Sequence, residues 1–223
     1  MDVYSHRVYI ESQRSKEDRQ VASSLLRCWK AMGLPDFLSL DNELSFRGSN
    51  KYPRSPGIVI RLCLYFGVQP VFIPIGEPWR NGSIEKFNDT YNHKFFRRQW
   101  FNSYAHLKQQ SKNFQRFHNR HHRYSYLKGK TPLQVMADSN FTPHLIGPNT
   151  KIPQLDEVPG GNIILIRFIR SDCMLDIFGE KFKLPKDLVY SYVKAVIVTE
   201  IHRLQIYSGN ELVDALDYQL STE

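Results

Sequence analysis

Apolar residues recur along the first part of the chain at the spacing of helices, and two short apolar runs interrupt them. The runs lie at 37–40 and 71–73, next to turn-forming residues, and they predict two buried strands. The segment 58–66 between them is apolar at helical spacing. Strand, helix and strand in this order form a βαβ unit, which requires parallel strands. The pattern therefore predicts an α/β sheet in this part of the chain.

Further stretches complete the predicted elements of the first part. Residues 3–10 are rich in Val, Tyr and Ile, which favours an extended strand. Apolar positions at helical spacing then predict one helix that ends near residue 32, a second from Ile84 and a third after Ser103. The apolar stripe of the second helix is expected to face the sheet, and it comprises Ile84, Phe87, Tyr91 and Phe95.

After residue 137 the composition changes, and then the period changes. Residues 138–160 are rich in Pro, Gly, Asn and Asp, which predicts a linker. Residues 161–223 carry five short runs at the strand period within about sixty residues, and this spacing predicts a small closed β-barrel. The predicted organisation is therefore a core at 1–137, a linker at 138–160 and a barrel at 161–223.

Two acidic residues follow the predicted strands of the βαβ unit. Asp41 stands directly after the first strand, and Glu85 lies in the first turn of the helix that follows the second strand and its turn-rich loop. Functional groups collect at the carboxyl ends of strands in α/β sheets. Two carboxylates there suggest a divalent-metal site that acts on phosphates. The alternative for Glu85 is a first-turn acid that complements the helix dipole.

The distribution of charge supports a polyanionic partner. The chain has 30 Lys and Arg against 22 Asp and Glu, a net charge of +8. Residues 86–130 hold 11 basic residues and one acid, Asp89, whereas residues 151–223 have a net charge of −3. A basic block next to a candidate metal ligand favours nucleic-acid binding. A solvated helical face is the alternative.

Residues in and beside the basic block are candidates for DNA contact. Two lie in the loop before the helix, three on that helix, two on the next helix and two in the segment that follows it. They are Arg80, Asn81, Lys86, Asn88, Asn92, Arg116, Arg120, Lys128 and Lys130. The nearby cluster His118-Asn-Arg-His-His122 has no second group of ligands beside it, so we expect a phosphate-facing role and not a zinc site.

The cysteines and the apolar runs bear on location. The three cysteines are scattered and match neither a disulfide framework nor a zinc pattern, which is typical of a reducing cytoplasm. No apolar run has membrane-spanning length and no signal peptide is visible, so we expect a cytoplasmic protein without a membrane partner.

Two motifs carry a family resemblance. The residues Leu-Asp-Asn-Glu around 41 and Glu-Pro-Trp-Arg-Asn-Gly-Ser-Ile-Glu-Lys-Phe-Asn at 77–88 resemble the second and third acidic positions of the DDE transposase and retroviral-type integrase catalytic core. The 43 residues between Asp41 and Glu85 resemble the spacing of the bacterial insertion-sequence branch. The position of the predicted barrel resembles that of the SH3-like barrel in Mu-type transposases.

The resemblance implies a fold and a reaction. The fold is an RNase H-like core, a mixed sheet with flanking helices, followed here by the small all-β barrel. The reaction is hydrolysis of a DNA phosphodiester and then strand transfer. The implied cofactors are two Mg²⁺ or Mn²⁺ ions held by three carboxylates, of which Asp41 and Glu85 would be two, both as catalytic residues and as metal ligands. The implied partners are DNA, as element ends and target, and further copies of the chain in a transpososome.

One departure from the family affects the expected activity. The segment Asp2-Val-Tyr-Ser-His-Arg-Val-Tyr resembles the second strand of the family core, and the first catalytic Asp of the family lies on the strand before it. With this first strand missing, we expect an amino-terminally truncated core with impaired activity. The alternative is a non-catalytic remnant that binds DNA or contributes to transpososome assembly.

Overall fold

The computed structural model describes residues 1–49 and 51–221, and within them six α-helices accompany eight strands. The helices are α1 (Asp18–Met32), α2 (Leu44–Arg47), α3 (Ile58–Tyr65), α4 (Gly82–Lys94), α5 (Tyr104–His121) and α6 (Pro132–Asp138). The strands are β1 (Phe37–Leu40), β2 (Gln69–Phe72), β3 (Asn162–Phe168), β4 (Met174–Ile177), β5 (Glu180–Lys183), β6 (Tyr192–Val198), β7 (Arg203–Ser208) and β8 (Glu211–Asp217).

The βαβ unit predicted from the sequence is confirmed. Strands β1 and β2 pair in parallel, with Leu40 opposite Phe72, and α3 crosses between them. Six of the eight residues of α3 are buried, because this helix packs against the sheet on one side and α1 on the other. The mixed sheet with its flanking helices fits an RNase H-like integrase core.

The carboxyl-terminal strands continue the sheet of the first half. Strand β3 pairs in parallel with β2, so that Leu165 lies opposite Phe72. Strands β6, β7 and β8 then follow in antiparallel order, while β4 and β5 form a separate hairpin. The closed SH3-like barrel is not confirmed: the strands of this region form a strand-rich extension of the core sheet. A period of two fixes which face of a strand is buried and does not fix the partner of its edge.

The predicted linker contacts the core. The guanidinium of Arg61, in α3, donates to the carbonyl oxygens of Leu155 and Asp156 at 3.0 and 2.7 Å. Ile152 and Val158 also pack against the buried cluster. The division of the chain into domains stays a prediction, but the segment 138–160 is fixed to α3 over part of its length.

Residues 3–10 do not form the predicted strand. The structure assigns no strand to them; instead, side-chain amides of α5 bind their backbone. Asn119 accepts from the Val8 amide and donates to the Val8 carbonyl oxygen, both at 2.9 Å, and Gln115 accepts from the Ile10 amide at 2.7 Å. β-Rich composition gives a strand only where a neighbouring strand offers its edge. Here α5 satisfies the backbone groups in place of a strand.

A single apolar core links both halves of the chain. The largest fully buried side chains come from α1, from the βαβ unit and from the carboxyl-terminal strands, and they include Trp29, Leu62, Phe72, Leu165 and Ile197. Phe72 also meets the ring of Phe178 edge-on, with centroids 5.3 Å apart. The two halves therefore stabilise each other through shared buried surface.

The shared core predicts that a cavity in β3 weakens the amino-terminal half. Leu165 is fully buried, so Leu165→Ala should lower the free energy of unfolding by about 2–5 kcal/mol. All three tryptophans lie before residue 101, and the urea midpoint of tryptophan fluorescence should fall with it. Leu212→Ala, at a half-exposed site in β8, is the control. A tryptophan midpoint unchanged by Leu165→Ala would show that the halves fold separately.

Candidate functional site

Asp41 lies at the carboxyl end of β1, as predicted. The Ile73 amide donates to the Leu40 carbonyl oxygen at 3.1 Å, so the β1–β2 ladder ends next to Asp41. The exposed carboxylate of Asp41 accepts from the Glu43 amide at 3.0 Å. This short turn directs the chain into α2 and keeps the carboxylate accessible at the edge of the sheet.

Glu85 lies in the first turn of α4, as predicted, and its side chain is half-buried. The helix begins at Gly82, two residues before the predicted start at Ile84, because a 3-10 turn over Pro78–Asn81 runs directly into it. The hydroxyl of Ser39, in β1, donates to the side-chain oxygen of Asn81 at 3.0 Å. This bond ties the last part of β1 to the start of α4, and so brings the two acidic segments to one edge of the sheet.

The loop between β2 and α4 is held by a polar triangle with β6. Glu77 accepts from Arg80 Nε at 2.7 Å and from the Tyr192 hydroxyl at 2.9 and 2.8 Å. The Arg80 guanidinium lies 4.2 Å from the centroid of the Tyr192 ring. Arg80 lowers the pKa of the Glu77 carboxyl, and the Tyr192 hydroxyl acts in the same direction. Nothing in the sequence pattern indicates this triangle, since 115 residues separate Glu77 from Tyr192.

A buried arginine binds the ends of both parallel strands. The Arg167 guanidinium, in β3, donates to the carbonyl oxygens of Ile73 and Asp176 at 3.1 and 3.0 Å and to the Asn42 side chain at 2.9 Å. Asn42 in turn donates to the Ile73 carbonyl oxygen at 2.7 Å. Burial lowers the pKa of Arg167 to about 10, so the group stays charged at neutral pH. The residue after Asp41 is therefore fixed by a contact that sequence reasoning missed.

The described residues fit the implied metals only in part. Asp41 and Glu85 supply the hard carboxylate oxygens that Mg²⁺ and Mn²⁺ prefer. Across 1–49 and 51–221, however, no three His, Cys, Asp or Glu side chains converge as metal ligands. Of the other nearby acids, Glu43 pairs with Lys16 at 3.1 Å and Glu77 is engaged by Arg80. The three-carboxylate set is thus not assembled among the described residues.

The apolar stripe of α4 faces α5, not the sheet as predicted. Phe87 meets the ring of His118 edge-on with centroids 4.9 Å apart, and Tyr91 and Phe95 lie 5.5 and 5.1 Å from Phe114. Helical spacing predicts which residues share a face and does not identify the element that covers it. The two helices therefore form one aromatic layer that carries the basic block.

The candidate DNA contacts differ in how freely they face solvent. Most are exposed on α4, on α5 and after α5: Lys86, Asn88, Asn92, Arg116, Arg120 and Lys128. Arg80 is exposed but paired with Glu77, and Asn81 is half-buried and accepts from the Ser39 hydroxyl. Lys130 pairs with Asp138 at 2.8 Å, which offsets part of the charge that it would offer to a phosphate.

The histidine cluster does not face phosphate as a group, which corrects the prediction. His118 is 2% exposed, stacks on His122 and is bound by the Tyr124 hydroxyl at 3.2 Å. Burial, with a smaller contribution from His122, lowers the pKa of His118 to about 4. His118 is therefore neutral at pH 7 and joins α5 to α4 and to residues 1–8, whereas His121 remains exposed.

The family comparison falls on this region. Residues 66–132 match the family model of the integrase core domain. The match supports an integrase or transposase catalytic core. It spans β2, the loop, α4 and α5, and so includes Glu85 but not Asp41; the matched part is less than a third of the chain. No curated protein matches the chain.

The match gives a function at a coarse level. An integrase core suggests a transposase or integrase that acts in DNA integration and recombination, with DNA as substrate. Such cores are typically dependent on divalent metal. Among the described residues no helix is both long and apolar enough to cross a membrane. All three cysteines have free thiols: Cys28, Cys63 and Cys173.

The buried histidine predicts a loss of stability in mild acid. Because the folded pKa of His118 is about 4 against 6.5 for a free histidine, the unfolded chain binds more protons between these values. Stability is then fully present above about pH 6.5 and falls as the pH drops toward 4. Between pH 7 and pH 5 the free energy of unfolding should decrease by about 2 kcal/mol from this group.

Urea titrations at pH 7 and pH 5 measure this effect. His118→Gln should reduce the difference between the two pH values, since glutamine binds no proton in this range. His121→Gln, three residues along on the exposed side of α5, is the matched control and should keep the full difference. An unaltered pH dependence in His118→Gln would assign the effect to other groups.

Proposed function

We propose that this chain provides the core of a DNA transposase or integrase of the bacterial insertion-sequence type, and that α4 and α5 bind the DNA backbone. The observation that carries the proposal is the joint position of the integrase-core match and the basic block on the same two helices. The exposed arginines of α5 and the exposed Lys86 of α4 would bind phosphate largely without regard to sequence.

Asp41 and Glu85 are proposed as two of the catalytic carboxylates. Support comes from their placement at one edge of the sheet, joined by the bond between Ser39 and Asn81. Asp41 and Glu85 would hold part of the site of a divalent metal, whose charge would stabilise the attacking and leaving oxygens of a phosphodiester. Two carboxylates hold one ion weakly, so we expect impaired hydrolysis and strand transfer in this chain.

A non-catalytic role is the second candidate. It is favoured by one observation: the described residues contain no convergent group of three metal-binding side chains. In that role the chain would bind DNA, and further copies of itself in a transpososome, without cutting a strand. Mn²⁺-dependent nicking and strand-transfer assays distinguish the two candidates.

The proposed DNA face predicts the salt dependence of binding. Arg116 and Arg120 are exposed one turn apart on α5. If both bind phosphate, the double variant Arg116→Ala/Arg120→Ala should reduce the slope of log Kd against log salt by about 1.8, or about 0.9 for each contact. Fluorescence anisotropy with a short duplex between 50 and 200 mM KCl measures the slope.

A charge-matched control excludes a general effect of net charge. Lys183→Ala/Lys186→Ala removes two exposed charges from the carboxyl-terminal region, outside the basic block. We expect the slope of this control to stay within about 0.3 of the parent value. Equal slopes for the two double variants would show that the DNA contact lies outside α5.

The proposed acidic pair predicts a metal-dependent change in stability. Mn²⁺ binds the folded pair and not the unfolded chain, so MnCl₂ at tenfold excess over its Kd should stabilise the fold by about 1.4 kcal/mol. Asp41→Asn and Glu85→Gln should each abolish the increase in Tm. Asp89→Asn, at an exposed acid one turn further along α4, should retain it. The same Tm response in all three variants would exclude the proposed pair.

A further inference from the structure

The loop before α4 has little apolar anchoring of its own. Trp79 is 64% exposed, Ile75 is 55% exposed, and Gly76 has a φ of +78° with open space around it. Segments with few buried apolar contacts open at low free energy unless polar contacts fix them. The contacts that fix this loop from outside include those of Tyr192, at the start of β6.

The contacts of Tyr192 are mutually supporting. Its hydroxyl donates to both carboxylate oxygens of Glu77, and its ring receives the Arg80 guanidinium at 4.2 Å. Glu77 and Arg80 also pair directly at 2.7 Å. Three groups that each bind the other two restrict the loop more than a single exposed ion pair does.

The triangle lies between two parts of the candidate site. Arg80 immediately precedes Asn81, and Glu77 lies three residues before Arg80. Asn81 binds Ser39 of β1, and α4 with Glu85 begins at the next residue. A displacement of the loop would therefore change both the direction of Arg80 and the first turn of α4. Arg167 acts on the other side of the site, where it binds Asn42 next to Asp41.

We propose that Tyr192 is a positioning residue for the candidate DNA site, and that it fixes Arg80 and the loop before α4 from across the sheet. The proposal rests on the proposed function. Its consequence for that function is that the carboxyl-terminal strands form part of the DNA site. Tyr192 touches no reacting atom in this role: it acts through Glu77 and Arg80.

¹⁹F NMR of the tryptophans tests the positioning role of Tyr192 in the absence of DNA. The chain has three tryptophans. Trp79 is the neighbour of Arg80, whereas Trp29 is buried within α1 and Trp100, after α4, is 86% exposed. In protein labelled with 5-fluorotryptophan, Trp→Phe variants assign the three ¹⁹F resonances. Tyr192→Phe should shift or broaden the Trp79 resonance, and Tyr192→Leu should do so to a greater extent. Both variants should leave the other two resonances unchanged.

The controls separate positioning from general destabilisation. Tyr192 is 40% exposed, so its replacement should change Tm by no more than about 2 °C. Tyr190→Phe alters a 71% exposed tyrosine two residues earlier, for which the described residues offer no hydroxyl partner, and it should leave all three resonances unchanged. A Trp79 resonance unmoved in both Tyr192 variants would overturn the proposal.

A double-mutant cycle measures the link to DNA. Tyr192→Leu should weaken duplex binding by about three- to tenfold, and the same change in an Arg80→Ala background should have little further effect, because both act through one contact. Equal effects in both backgrounds would contradict action through Arg80. A chain that binds no DNA would contradict the proposed function, while the resonance of Trp79 would still decide the positioning.

Discussion

The arrangement of this molecule depends on a buried guanidinium. Arg167 is 4% exposed and forms no salt bridge to a carboxylate within the described residues, so backbone carbonyls and one amide satisfy its donors. A buried charge is tolerated only when its donors are matched in this way. Besides the neighbouring Ile166 carbonyl, the groups that accept from it come from β4 and from the ends of β1 and β2. Strands that are far apart in sequence are therefore held in one register at the edge where Asp41 lies.

The carboxyl-terminal strands support the sheet of the first half of the chain. A separate barrel would bury its own core and leave the edge of β2 unpaired. In the structure β3 covers that edge, and the buried residues of both halves form one cluster. The net charge of −3 in 151–223 also agrees with a supporting position, because the basic residues that would meet DNA are concentrated on α4 and α5.

The sequence predicted those features that depend on neighbours along the chain. The parallel pairing of β1 and β2 follows from an apolar run, a helix and a second run, and the positions of Asp41 and Glu85 follow from the ends of these elements. The unpredicted features all depend on partners distant in sequence. Asn119 binds Val8 over 111 residues, and Tyr192 binds Glu77 over 115. Periodicity shows which face of an element is apolar but does not identify the element that covers it, and for this reason the apolar stripe of α4 does not reveal that α5 covers it.

The contrast between contacts near and distant in sequence also applies to the two acidic residues. Asp41 follows a four-residue strand, and the helix that carries Glu85 follows a loop with an exposed tryptophan. Catalytic groups need positions fixed to a fraction of an ångström, and such precision comes from the residues that surround them. Here Arg167 binds Asn42 beside Asp41, and Tyr192 binds Glu77 in the loop before α4. Both residues lie in strands outside the integrase-core match. A motif search alone would therefore identify the two candidate acids and omit the strands whose side chains bind the segments beside them.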